Sequence, residues 1–72
     1  WIDIAVSKPI VKEKLSEREL DVFVKLLEGK SRKTCAEELF IAESTVKKHS
    51  ASIYKKFEVK NRAELVNKIN NI

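Results

Sequence analysis

The segment at residues 42–57 spaces its apolar residues at the period of an α-helix. One side of that helix would collect, at i, i+4, i+7 and i+11, Val46, Ser50, Ile53 and Phe57. The opposite side would collect small residues and lysines, namely Ser44, Lys48, Ala51, Ser52 and Lys55. Small side chains beside lysines let a helix approach a polyanion closely, and a helix fits the major groove of DNA, about 12 Å wide. A solvated basic face on an ordinary amphipathic helix is the alternative, and this segment alone does not decide between the two.

Composition limits the chain to one small domain. A chain of 72 residues builds one domain at most, and a content of 36% charged and 43% hydrophobic residues is typical of a globular protein. One Gly and one Pro are too few turn-forming residues for an all-β sandwich. Composition therefore favours an all-α fold, and the helices described below predict a compact four-helix bundle, whose small core depends on close packing or on a partner chain.

Charge is distributed unevenly along the chain, although the formal net charge of +4 is modest. Acidic residues outnumber basic ones in residues 16–28, whereas basic residues outnumber acidic ones in residues 43–62. This segregation predicts that one side of the domain attracts an anionic partner.

Several functional classes are excluded by what the sequence lacks. A single cysteine, Cys35, excludes an intramolecular disulfide and is typical of a reducing compartment, and one His with one Cys cannot build a zinc site. There is no nucleophile–base pair, metal-binding cluster or glycine-rich phosphate loop, so we predict that the chain is not an enzyme and has no catalytic residue, cofactor or metal. The domain is also too small for a sizeable pocket, so we predict no small-molecule ligand in it.

The ends and the N-terminal region of the chain are less informative. No apolar run has the length of a membrane span, no signal peptide is visible, and the first residue is Trp1 rather than Met. We expect a piece of a longer protein, cytoplasmic in this part, whose parent could be membrane-anchored. Residues 1–6 alternate weakly, as a short strand would, before Pro9 interrupts the pattern. We interpret residues 1–14 as a linker or the tail of a preceding domain.

Capping signals divide the rest of the chain into helices. Ser16 and Glu19 form a capping box at the first helix, which Gly29 would end because it can adopt positive φ. Ser31 would cap a second helix, and Asn61 would cap the last one. The apolar set of the last helix is Leu65, Val66, Ile69 and Ile72.

A helix-turn-helix is predicted from the spacing of the second and third helices. Residues 40–42 are a three-residue connection, which is the turn length of that motif. The first turn of the second helix carries Arg32 and Lys33, which oppose the helix dipole. Such a turn is sensible if its free amides and cations face a phosphate, although two ordinary surface charges are equally compatible.

From residue 15 to about residue 69 the chain resembles the LuxR/FixJ/NarL type of DNA-binding domain. The matching motifs are LSERE at 15–19, LEGKSRK at 27–33, AEELFIAESTVKKH at 36–49 and IYKKFEVKNR at 53–62. The TVK-x-H string at residues 45–49 is far more specific than a general helix-turn-helix pattern. We therefore take residues 15–72 as a LuxR-type helix-turn-helix DNA-binding domain.

The resemblance implies roles for individual positions. Bases would be contacted from the third helix by Lys47, Lys48 and Ala51. A lysine can donate to O6 and N7 of guanine, and an alanine methyl can contact the thymine methyl. The positions that would contact the DNA backbone are Ser31, Arg32, Lys33, Ser44, Thr45 and His49. Dimer contacts would come from the last helix, with candidates Ala63, Val66, Asn67 and Asn70.

Three positions depart from the family pattern. Ala42 stands where Ser or Thr usually caps the third helix, so the cap should be weaker by about 1 kcal/mol. Cys35 stands where an aliphatic residue is usual, and we interpret it as a small buried residue rather than a redox switch. Phe57 stands where Leu is common, so we expect a small side chain beside it to make room for the ring.

Arg62 has two possible partners. It could contact a phosphate, or it could pair with Glu19.

The resemblance implies sequence-specific binding of double-stranded DNA by the C-terminal output domain of a bacterial transcription regulator, with the third helix in the major groove. The partners would be double-stranded DNA, a second copy in a homodimer on DNA and, as a further candidate, RNA polymerase. The alternative is a protein-interaction helical module that uses the same lysines, either for an acidic partner or as the polymerase-binding region of a sigma-like factor. Small residues such as Ala51 and Ser52 favour DNA, because a protein interface would favour aromatic residues and Arg.

Overall fold

α-Helices form all the regular secondary structure in the computed structural model, which describes residues 1–71. In chain order they are α1 (Ile2–Ser7), α2 (Pro9–Lys14), α3 (Glu17–Leu27), α4 (Arg32–Leu39), α5 (Glu43–Lys56) and α6 (Arg62–Asn70). The prediction of an all-α fold is confirmed, and the four predicted helices correspond to α3–α6. Ile72, which was expected in the apolar set of the last helix, lies outside the described residues.

Two short helices occupy the region for which the sequence suggested a short strand. The strand prediction is wrong because Ile2, Ala5 and Val6 also have the i, i+3, i+4 spacing of a helix, and Ala5 is fully buried. Pro9 begins α2 instead of breaking a helix, since the missing N–H costs nothing in a first turn. Ala5 and Val11 both join the core, and α1 lies against α3.

The predicted caps set the limits of α3 and α4. The Ser16 hydroxyl accepts from the Glu19 amide at 3.3 Å, and the Glu19 carboxylate accepts from the Ser16 amide at 3.0 Å, which confirms the capping box. Gly29 follows α3 with a φ of +80°, a conformation that side-chain-bearing residues rarely adopt. Ser31 caps α4 by accepting from the Thr34 amide at 3.2 Å. These local signals position the turn between α3 and α4.

The connection from α4 to α5 turns on a residue in the left-handed conformation. Phe40 has φ 57° and ψ 44°, and its side chain is 94% exposed. The amides of Phe40 and Ile41 both donate to the carbonyl oxygen of Ala36, which closes the end of α4. The chain thus reverses within residues 40–42 and enters α5, as the helix-turn-helix prediction requires.

An apolar core lies between the helices. Its largest fully buried apolar side chains are Phe23, Ile53, Leu65, Ile69, Val11, Val22 and Val46. Full burial of one such side chain stabilises the fold by about 1.5–3 kcal/mol. The rings of Phe23 and Phe57 stack with their centroids 6.1 Å apart, which joins the end of α5 to α3. One side of α5 is therefore fixed in the core, and its other side is left for solvent or a partner.

The buried carboxylate of Glu19 adds a polar link between α3 and α5. Its side chain is 8% exposed, and its oxygens accept from Ser52 Oγ at 2.6 Å and from Lys56 Nζ at 2.6 Å. These donors and the Ser16 amide favour the charged form, with Lys56 the largest cause, and lower the pKa of Glu19 to about 2. The polar link therefore persists as an ion pair over the whole neutral and mildly acidic range.

The lowered pKa of Glu19 predicts a specific response to acid. Its contribution to stability is complete above the ordinary carboxyl pKa of 4.5 and is lost as the pH falls through about 2. We expect Glu19→Gln to be less stable than the wild type at pH 7, and the gap to shrink steadily between about pH 4.5 and pH 2. Urea unfolding followed by circular dichroism at each pH measures the gap.

The control for this experiment is Glu37→Gln, because Glu37 is an exposed carboxylate with no hydrogen bond or ion pair to another described side chain. It should be close to the wild type in stability at every pH. A Glu19→Gln gap that stays constant from pH 7 to pH 2 would contradict the ionic link between α3 and α5.

Candidate nucleic-acid interface

The three residues predicted to contact bases lie on the solvent side of α5. Lys47, Lys48 and Ala51 are exposed, and neither lysine side chain bonds to another described residue. They lie outside the face of the helix that Val46 and Ile53 bury in the core. We call the surface formed by Lys47, Lys48 and Ala51 the α5 ridge. Its two ammonium groups are available to an anionic partner.

Residues beside the α5 ridge include the predicted backbone contacts at the start of the helix. Ser44 is exposed, and Thr45 and His49 are half-buried. Ala42 occupies the N-cap in an extended conformation without a side-chain hydrogen bond, so the weak cap predicted there is confirmed. Contact of Ser44, Thr45 and His49 with phosphates stays a prediction.

The second group of predicted backbone contacts is the start of α4. Ser31, Arg32 and Lys33 are all exposed. The Ser31 hydroxyl is already engaged, because it accepts from the Thr34 amide at 3.2 Å and donates to Thr34 Oγ1 at 3.0 Å. The Arg32 and Lys33 side chains have no partner among the described residues. With no acidic residue in this first turn, the two cations reinforce the positive end of the helix dipole and form a surface suited to an anion.

A cluster of charges supports the turn that leads into α4. The Glu38 carboxylate lies 2.7 Å from Lys25 Nζ and accepts from Lys30 Nζ at 2.7 and 2.9 Å. These lysines, Lys25 above all, lower the pKa of Glu38, and the bond to Glu38 raises the pKa of Lys25. Lys30 is thus bound internally. Its charge fixes the turn rather than adding to the exposed cations of α4.

Two residues of α5 have contacts that the helix wheel did not predict. The wheel placed Ser52 opposite the core, whereas both Ser52 and Lys56 donate to Glu19, so the prediction for Ser52 is wrong. No local signal could show this, because Glu19 lies 33 and 37 residues away in the chain. Arg62 does not pair with Glu19; its Nη1 donates to the carbonyl oxygen of Leu26 at 3.4 Å. Contact of Arg62 with a phosphate stays a prediction.

The dimer candidates occupy the outer part of α6. Leu65 and Ile69 are fully buried and attach the helix to the core. Of the dimer candidates, Ala63, Asn67 and Asn70 are exposed. Val66 is half-buried. Contact between two copies through this side stays a prediction.

Cys35 and Tyr54 belong to the packing of the domain. Cys35 is fully buried, and burial raises the pKa of its thiol, which confirms its interpretation as a small buried residue. Tyr54 packs against the core. Within residues 1–71, no three His, Cys, Asp or Glu side chains are grouped so that they could hold a metal ion. None of the described helices has both the length and the apolar character needed to cross a membrane.

Comparison with known families gives a match over most of the helical unit. Residues 13–69 match the family described as bacterial regulatory proteins, luxR family. The matched residues run from the end of α2 into α6 and make up well over half of the chain. They include the α5 ridge and the start of α4.

Individual relatives agree with the family match. The chain is 42% identical over 60 residues to the spore germination protein GerE of Bacillus subtilis, covering 83% of this chain and 76% of that protein. It is 42% identical over 52 residues to the transcriptional regulatory protein LiaR of the same organism, covering 72% of this chain and 25% of LiaR. It is 44% identical over 52 residues to the CsgBAC operon transcriptional regulatory protein of Escherichia coli, covering 72% of this chain and 24% of that protein. No solved structure gives a significant match.

The missing cap at α5 predicts a stabilising substitution. Ala42 already has the extended backbone of an N-cap residue, so a serine there could accept from an amide of the first turn without rearrangement. We expect Ala42→Ser to increase the free energy of unfolding by about 1 kcal/mol and Ser31→Ala, which removes an existing cap, to decrease it by a similar amount. Thermal unfolding of both variants measures this, and an unchanged midpoint for Ala42→Ser would contradict the cap assignment.

Proposed function

The chain belongs to the luxR family of bacterial regulatory proteins, and from this premise we propose that it is the DNA-binding output domain of a bacterial transcription regulator. In LiaR and the CsgBAC regulator the matched part makes up about a quarter of the protein, which is the share expected of one domain among others. We propose that it occupies the C-terminal part of its parent protein and acts in the cytoplasm, where bacterial DNA lies.

The observation that carries the proposal is the α5 ridge. The helix buries Val46 and Ile53 in the core. Its exposed surface carries two free ammonium groups and the small side chain of Ala51. A protein-binding helix would usually carry aromatic residues or Arg at such positions, whereas short side chains let DNA approach the helix closely. The tight turn at residues 40–42 joins α4 to α5 with the short connection that is typical of a helix-turn-helix.

We propose that base contacts come from α5 and that phosphate contacts come from both helices of the motif. We propose that Lys47 and Lys48 donate to guanine O6 and N7 and that Ala51 contacts a thymine methyl. The cations at the start of α4 would bind phosphates, which fixes the register of the domain on the duplex without reading sequence. The backbone contacts proposed here are Ser31, Arg32, Lys33, Ser44, Thr45 and His49.

We also propose that two copies bind DNA together through α6. Two recognition helices about 34 Å apart would reach successive major grooves on the same face of the duplex, so the site would consist of two half-sites. The outer side of α6 supplies the contact through Ala63, Val66, Asn67 and Asn70. RNA polymerase is a further proposed partner, because the relatives are named as regulators of transcription.

Substitution of one ridge lysine should change the reading of one base pair. A target site is first obtained by selecting bound duplexes from a random-sequence pool with the wild-type chain. We expect Lys48→Ala to lose roughly 1–3 kcal/mol on this site and to discriminate less at a single position, since one bidentate contact disappears. Binding titrations on the selected site, on single base-pair variants and on a scrambled duplex measure both effects.

Lys12→Ala is the control for charge, because Lys12 is an exposed lysine of α2 outside the predicted interface. It should bind all these duplexes nearly as the wild type does. Equal losses for Lys48→Ala on the selected and scrambled duplexes would reject a role in base reading.

Substitution at the start of α4 should act differently. We expect Arg32→Ala to weaken binding to every duplex by a similar factor and to reduce the slope of log affinity against log salt by about 0.9, the effect of one phosphate contact. Binding titrations at several salt concentrations between about 50 and 200 mM measure this change in slope. A loss confined to the selected site would assign Arg32 to base reading instead.

The protein-interaction alternative makes an opposite prediction. A module that binds an acidic protein partner need not bind duplex DNA at low salt, whereas the proposed domain should do so through its free cations. Retention on duplex DNA coupled to a resin, followed by elution in a salt gradient, separates the two. No retention at low salt would overturn the proposed function.

A further inference from the structure

Two kinds of contact attach α5 to α3. The apolar contacts, such as the stacked rings of Phe23 and Phe57, hold the two helices together, but hydrophobic attraction has no direction and tolerates small shifts. The hydrogen bonds to Glu19 are short and weaken steeply when their geometry changes. The polar contact therefore specifies the rotation of α5 about its own axis more sharply than the apolar contacts do.

We propose that Glu19 is a positioning residue for DNA recognition. By holding Ser52 and Lys56, it fixes the rotation of α5 that presents the α5 ridge to the major groove. This inference rests on the proposed function, and it assigns a part in recognition to a residue outside the DNA-facing surface.

The arrangement of the donors is what suits Glu19 to this role. Ser52 and Lys56 lie one turn apart on α5, and they donate to different oxygens of the same carboxylate, each at 2.6 Å. The carboxylate itself is held at the start of α3, where the Ser16 amide donates to it at 3.0 Å. Two points on α5 are thus tied through one nearly buried group to a fixed point on α3. Rotation of α5 would have to break at least one of these bonds.

A small rotation would matter at the α5 ridge. Side chains extend to about 5–6 Å from the axis of a helix, so a rotation of about 20° moves their ends by about 2 Å. Contacts to base edges require placement within about 0.5 Å and 10–20°. Loss of the Glu19 link should therefore reduce the discrimination between sequences, because phosphate contacts tolerate displacement better than base contacts do.

The link also changes the role of a charge that would otherwise be attributed to DNA. Lys56 belongs to the basic part of the sequence, but its ammonium group is neutralised by Glu19. The neighbouring Lys55 is exposed and has no partner among the described residues. If Lys56 acts on α5 rather than on phosphate, its removal should leave the salt dependence of DNA binding unchanged.

The first test compares two variants that both destabilise the domain. Glu19→Gln keeps the shape of the side chain but removes the charge that holds Lys56. Ser16→Ala removes the capping hydroxyl of α3 and leaves both bonds from Glu19 to α5 in place. The ratio of affinities for the selected and scrambled duplexes is measured for each at a temperature at which circular dichroism shows the variant folded.

We expect Glu19→Gln to lower this ratio about tenfold or more, the size of one lost base contact. Ser16→Ala should lower the midpoint of thermal unfolding by about 4–8 °C yet keep the ratio within about twofold of the wild type. Equal ratios for Glu19→Gln and the wild type would overturn the proposal, and so would a similar fall for Ser16→Ala. Ser52→Ala, a milder change at the same link, decides the matter if Glu19→Gln does not fold.

The second test compares adjacent lysines with the same substitution. Lys56→Met should lower the ratio of affinities while the slope of log affinity against log salt stays at the wild-type value. Lys55→Met removes an equal charge from the same turn and should keep the ratio. A fall in slope of about 0.9 for Lys56→Met, with its ratio unchanged, would make Lys56 a phosphate contact and overturn the proposal.

A third measurement separates this inference from the proposed function. If selection from the random pool enriches no sequence, the proposed function fails, and the positioning role is then judged without DNA. Amide chemical shifts of residues 44–51 should change in Glu19→Gln and stay close to the wild type in Ser16→Ala. Shifts that remain at wild-type positions in Glu19→Gln would overturn the positioning of α5 by Glu19.

Discussion

The packing of α5 on α3 is the constraint on which the rest of this domain depends. Val46, Ile53 and Phe57 bury one side of α5, and in a chain of 72 residues the core is too small to lose any of them cheaply. Because that side is committed to the core, the opposite side must face outward. The α5 ridge is thus a consequence of core packing, and its chemistry could be chosen for a partner without disturbing the fold.

Much of this architecture was predictable because its signals are local. The capping box of Ser16 and Glu19, the positive φ of Gly29 and the caps at Ser31 and Asn61 each involve residues close together in the chain, and each is present in the structure. The exposed positions of the α5 ridge also follow from the helical period, which needs no knowledge of neighbouring helices. Contacts between these side chains and bases do not follow from the helical period, because an exposed side chain can bind a partner but its exposure does not show that it does.

The features that sequence reasoning missed depend on contacts between distant segments. A helix wheel assigns Ser52 to solvent because it considers only α5, whereas its partner Glu19 comes from α3. The N-terminal helices were missed for a related reason. Six-residue helices are too short to be stable alone and exist because Ala5 and Val11 are buried against the rest of the domain. In both cases the tertiary environment decides the outcome, and periodicity within one segment does not contain that information.

The helix-turn-helix departs at three points from the rules of stable helices. The first turn of α4 carries Arg32 and Lys33 against the helix dipole, α5 lacks a side-chain cap at Ala42, and Phe40 adopts positive φ. In α3 and α6, by contrast, a side chain caps the first turn, and the buried charge of Glu19 is fully paired. A physical reason connects these departures with binding. Amides and cations that are to bond with phosphates cannot also be bonded within the domain, so a surface prepared for a polyanion is less stable by itself, and the strength of the α3–α5 contact offsets that cost.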